Sequence, residues 1–140
     1  MSVGLFRSLL VASYLLVGSA TLIDLAFPGL VPEAMRAVMT EAPSPVMPEP
    51  VWAQALVSLL FVMLLIVSLA GSVAMFLFRR WGRTVSLWST AMALPVFVWF
   101  GAAVISGPAQ ALIYTSGICW GAVLSSAYWS PLAARFSPRR

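Results

Sequence analysis

Three stretches of this 140-residue chain, 51–78, 84–106 and 109–130, run for more than twenty residues without a single charge, and a fourth, 5–27, carries only Arg7 and Asp24. A helix rises 1.5 Å per residue, so about 20 apolar residues cross a hydrocarbon layer of about 30 Å, and each stretch is long enough to do so. A soluble fold of this size has no interior large enough to hide four of them. Composition agrees, with 61% of residues apolar and 9% charged, where a soluble domain carries about 25% charged residues. The mean hydropathy is +0.98. The sequence therefore predicts an all-α integral membrane protein whose residues 1–140 form one domain of four antiparallel transmembrane helices, up-down-up-down. The second span is too long to stand perpendicular, so it is expected to tilt, with Trp52 anchoring its start at the interface.

The arginines set the orientation. Arg7 lies at the start of the first span, Arg79, Arg80 and Arg83 fill the connection 79–83, and Arg135, Arg139 and Arg140 lie in the tail 131–140. The opposite side holds Arg36 with Glu33, Glu41 and Glu49. Basic residues mark the cytoplasmic side, which puts both termini there. Eight arginines and no lysine are compatible with a GC-rich genome; the four-span pattern has the general look of small bacterial inner-membrane proteins, so the expected location is that membrane, crossed several times. Gly18-Ser19-Ala20 resembles a signal-peptide cleavage site, but the apolar run continues through Leu22, Ile23, Leu25, Ala26 and Phe27, longer than a signal core. A membrane span is the better reading.

The connections differ. Residues 79–83 read as a tight cytoplasmic turn, with Gly82 free to take a left-handed conformation after the second helix. Gly107-Pro108 reads as a tighter turn on the outer side. The external loop 28–50 holds six of the ten prolines. Within it, Pro32 to Glu41 reads as a short amphipathic helix, with Pro32 at its first position and Met35, Val38 and Met39 on one face. Ala42 to Pro50, with proline at four of nine positions, reads as an extended tether.

The missing residues exclude much chemistry. There is no histidine and no lysine, and Cys119 is the only cysteine. Zinc and haem sites need imidazole or several thiolates, and a thiol relay needs a second cysteine. A serine nucleophile lacks a His or Lys base, and a Walker A loop lacks its lysine. No catalytic residue, cofactor or metal site is expected, and Cys119, inside an apolar run, reads as an inert thiol. The arginines hug span ends instead of forming a basic stripe, which argues against nucleic acid. Met35, Met39 and Met47 have soft sulfurs suited to Cu(I), yet no His or Cys accompanies them, and lipid contact suits them better.

Four features are candidates for function. Gly117, Gly121 and Ser125 recur every four residues and let another helix approach closely, either inside the same bundle or from a partner or second copy. Ser68 with Ser72 and Ala70 with Ala74 form weaker stripes of the same kind. Asp24 is the one acid within an apolar run, a candidate ion or proton site, although its place near the outer interface also suits a wetted carboxylate. Pro95 leaves the Ala91 carbonyl without its usual donor, which predicts a bend, static or hinged, with Ser89, Thr90 or a neighbouring helix serving the freed group. Arg79, Arg80 and Arg83, with Trp81, Tyr128 and Trp129, suit anionic lipid headgroups, although topology alone accounts for them. The expected function is a non-enzymatic accessory or structural subunit in the bilayer, acting by helix–helix association with another membrane protein or itself. The alternative is a small oligomeric transporter or channel using Asp24 and the Pro95 bend.

Overall fold

The computed structural model describes residues 1–33, 37, 50–99 and 105–136. Among these residues every regular element is helical and none is a strand. The order is α1 (Val3–Ala26), a 3-10 turn η1 (Pro28–Leu30), α2 (Val51–Phe76), α3 (Arg80–Trp99), α4 (Gly107–Trp129) and a second 3-10 segment η2 (Pro131–Phe136). The amphipathic helix expected over 32–41 and the tether over 42–50 lie almost wholly outside the described residues.

Local chemistry sets the ends. Ser2 caps α1, its Oγ accepting from the Leu5 amide at 3.2 Å, so the helix starts at Val3. Pro28, lacking an amide proton, ends the run, and η1 closes with the Leu30 amide donating to the Phe27 carbonyl at 3.0 Å. At 24 and 26 residues, α1 and α2 are about 36 and 39 Å long. Among the described residues these two are the helices long and apolar enough to cross a membrane. The described part of α3 opens with Arg80 and Arg83 and carries Ser86, Ser89 and Thr90, while α4 is dotted with Gln110, Tyr114, Thr115 and Ser116, which lowers the hydropathy of both.

Two connections differ from expectation. The turn at 79–83 contracts to Leu77–Arg79, and α3 already starts at Arg80. The left-handed residue is Phe78, with φ 54°, not Gly82. The Arg79 amide donates to the Ala74 carbonyl at 2.8 Å and the Phe78 amide to the Met75 carbonyl at 2.9 Å, the paired bonds of a Schellman motif. Gly107-Pro108 is likewise no turn but the first two residues of α4. Ser106 is the cap, its Oγ accepting from the Ala109 amide at 3.4 Å and its carbonyl from Gln110 at 2.9 Å. Pro108 has no amide to satisfy there, which makes the first turn a natural place for it.

The chain divides into two compact units. One pairs α1 with α4 as far as Ser126. Phe6, Leu10, Ser13 and Ala20 on α1 and Ala109, Ser116 and Val123 on α4 are buried. Ser116 Oγ donates to the Ser13 carbonyl at 2.8 Å, and Tyr14 meets Trp120 edge-on at 6.0 Å. Ser126 Oγ lies 3.5 Å from Met1 Sδ, so the two helices run antiparallel.

The other unit is the α2–α3 hairpin with the stretch from Ala127 onward. Its seam is made of small residues. A Cβ added at Gly71 would lie 2.8 Å from Ser86 Oγ, and one at Gly82 would lie 2.6 Å from the Met75 nitrogen. Gly82 is therefore required for close approach of α3 to the end of α2, not for turn conformation. η2 folds back over this end. Phe136 is fully buried and lies 5.2 Å from the Phe78 ring.

Candidate helix-association face

The burial pattern of α4 splits the helix into two sides. Ala109, Ser116 and Val123 recur every seven residues and are buried, placing them on one side at the helical period. Tyr114, Gly117, Ile118, Gly121 and Ser125 occupy the opposite side and are all exposed. Tyr114 is 65% and Ile118 73% exposed. Among the described residues, a Cβ built on either Gly117 or Gly121 meets no atom within 4 Å beyond its own stretch of helix. The small-residue row thus forms a shallow, open track bordered by Tyr114 and Ile118. Gln110 Nε2 donates to Tyr114 Oη at 2.8 Å, so the polar groups at the head of the track satisfy each other.

Asp24 lies two residues before the end of α1, half-buried, and its Oδ1 is enclosed without a hydrogen-bond partner among the described residues. Pro95 is exposed, and α3 continues through it to Trp99. The hydroxyls of Ser89 and Thr90 both donate to the Ser86 carbonyl, at 3.1 and 2.8 Å. The Ser89 hydroxyl, with one hydrogen to give, is thus committed to Ser86. Cys119 is a half-buried free thiol on α4.

The three arginines of the α2–α3 connection separate into two kinds. Arg79 and Arg80 are exposed. Arg83 is half-buried, with its guanidinium 5.2 Å from the Tyr128 ring centre and 5.8 Å from that of Phe136, and it donates to the Ala127 carbonyl at 3.4 Å. It clamps η2 to the hairpin end through cation–π contacts.

Sequence reasoning missed Gly71, Ser86 and Phe78. Gly71 and Ser86 carry a signal, since small residues on consecutive helices invite a close crossing. Phe78 carries none, because a phenylalanine is an unexpected left-handed residue. No family model matches this chain, and no curated protein and no solved structure matches it either.

Proposed function

We propose that this chain is a small multi-pass membrane protein of a bacterial inner membrane, with four spanning helices and both termini cytoplasmic, and that it works without catalysis, as an accessory or structural subunit. Its contact with another membrane protein or a second copy runs along Gly117, Gly121 and Ser125. The observation that carries this reading is the open track itself: three small residues in register on α4, with no atom near the glycine Cβ positions. A glycine in a helix costs about 1 kcal/mol relative to alanine, so two unfilled glycines on one face gain their value from a helix that comes in from outside.

The membrane placement has its own support. In each of the two most apolar windows, on α1 and α2, 17% of residues are buried within the fold. Helices so apolar and so uncovered need lipid around them.

Gly121→Leu tests the association face. With nothing within 4 Å of the added Cβ, the leucine fits the isolated chain, while a docked helix is pushed away. Chemical cross-linking or energy transfer in nanodiscs is expected to show association weakened by roughly tenfold or more, with helicity unchanged. Unaltered association sinks the assignment of this face.

A second reading rests on the enclosed, unpartnered Oδ1 of Asp24: a small oligomeric transporter or channel that uses this carboxylate and the Pro95 segment. Asp24→Asn is then expected to abolish proton- or cation-coupled flux in liposomes. Flux retained by the folded variant removes Asp24 from any such mechanism.

A further inference from the structure

A shallow groove, open along most of its length, runs between α2 and α3, lined by Leu64 and Val67 on one helix and by Thr84, Val85, Trp88 and Met92 on the other, with about 270 Å³ of space. Its wall is almost wholly apolar. Ser89, at its edge, has already given its hydroxyl proton to the Ser86 carbonyl, so it offers no donor to a polar ligand. Thr84, Trp88 and Met92 follow each other every four residues on α3, and one turn before Thr84 the same row reaches Arg80, which is exposed. Arg79 precedes it and is exposed as well. From Thr84 to Met92 the groove extends about 12 Å along the helix.

The arrangement is therefore a hydrocarbon trough with Arg80 one turn beyond its Thr84 end on the same row of α3 and Arg79 next to it in sequence, both exposed. An apolar tail joined to an anionic head matches it in both parts. An apolar partner helix also seats a ridge of side chains in such a trough, but it brings no anion to Arg79 and Arg80, as a phospholipid does. We propose that the groove holds one acyl chain of an anionic phospholipid whose phosphate is bound by Arg79 and Arg80. Arg83, committed to Tyr128 and Phe136, keeps the hairpin end in shape and does not touch the headgroup. This rests on the reading of α2 and α3 as membrane spans with their shared connection at the cytoplasmic face.

The test uses a variant in which Trp88 is the sole tryptophan, with Trp52, Trp81, Trp99, Trp120 and Trp129 replaced by phenylalanine. It is placed in phosphatidylcholine nanodiscs doped with either phosphatidylglycerol or phosphatidylcholine carrying brominated chains, which quench indole fluorescence on contact. The brominated phosphatidylglycerol is expected to quench at a mole fraction roughly 30-fold lower, the preference given by two basic groups near a surface. Arg79→Gln with Arg80→Gln removes that preference, and Arg135→Gln retains it. Equal quenching by both lipids, or a preference that survives the double substitution, overturns the lipid site while leaving the membrane spans standing. Quenching by neither lipid overturns the membrane placement of α3 together with the site. Should the five replacements disturb folding, native mass spectrometry of the wild-type chain titrated with each lipid reads the same preference: selective retention of phosphatidylglycerol supports the site and indifference overturns it.

Discussion

Phe78 pays a conformational penalty that most helix ends avoid by placing glycine at the same position. A left-handed backbone brings Cβ against the following carbonyl, which costs about 1–2 kcal/mol for an L-residue. What offsets it is the ring, which packs 5.2 Å from the buried Phe136. The two contributions separate in a pair of variants. Phe78→Ala and Phe78→Gly both delete the ring, but only glycine relieves the backbone, so Phe78→Gly is expected to be more stable than Phe78→Ala by about 1 kcal/mol in denaturant titrations of the micellar protein. Equal stabilities would mean that the left-handed turn carries no strain. Arg83 acts at the same end. Arg83→Gln loses both ring contacts and the bond to Ala127, and about 1–2 kcal/mol of stability with them. Limited proteolysis is expected to cut the chain after Tyr128 sooner in this variant than in Arg80→Gln, whose guanidinium is exposed. At this scale the sequence was a poor guide. It shows an arginine cluster, but nothing in 79–83 distinguishes the one that stacks on aromatic rings from the two that face outward, because their stacking partners lie more than forty residues away.

Helix pairing turns on which small residues meet a neighbour. Gly71 and Gly82 do: an added methyl group at Gly82 would meet backbone atoms of Ala74 and Met75 at 2.6–2.7 Å, and backbone cannot rotate aside. Gly82→Ala is expected to cost about 1–3 kcal/mol. Gly117→Ala, with open space around the new methyl, is expected to be neutral or to gain up to about 1 kcal/mol through helix propensity. Thermal unfolding of the two variants in the same detergent gives the comparison, and a Gly82→Ala protein as stable as wild type would contradict the close crossing. The reason the sequence pointed elsewhere is physical. A row such as Gly117, Gly121, Ser125 shows that a face is smooth, but smoothness is a property of one helix and contact is a property of two. Helix existence was legible because long, uncharged apolar runs favour a backbone that satisfies its own hydrogen bonds. Helix ends were less so. Ser2 and Ser106 cap their helices through side-chain acceptors that also occur in turns, and Gly107-Pro108 has the composition of a loop while serving as a first turn.

At the scale of the whole chain, orientation follows from charge that the fold itself does not display. With the proposed topology, Arg7, Arg79, Arg80, Arg83, Arg135, Arg139 and Arg140 share one side, and Arg36 stands opposite with three glutamates. Keeping basic residues on the cytoplasmic side is a matter of insertion, not of packing, so it is read more directly from sequence than from contacts. The proposal is checked with single cysteines in a Cys119→Ser background, at Ser2, in the external stretch at Ala42, beside the hairpin turn at Trp81 and at Ser137. In spheroplasts, a membrane-impermeant maleimide is expected to label Ala42→Cys alone. After lysis it labels the other three as well. Labelling of Trp81→Cys from outside would invert α2 and α3, and labelling of Ser2→Cys without that of Ser137→Cys would leave an odd number of spans. The intact mass adds an independent constraint on the first helix. A chain retained as a span keeps the full 15.1 kDa, whereas cleavage after Ala20 would remove most of α1, and with it Ser13, whose carbonyl accepts the bond from buried Ser116. That loss would expose the inner face of α4, so a processed chain would present two free helix surfaces for association instead of one, and Gly121→Leu would no longer disrupt contact by itself.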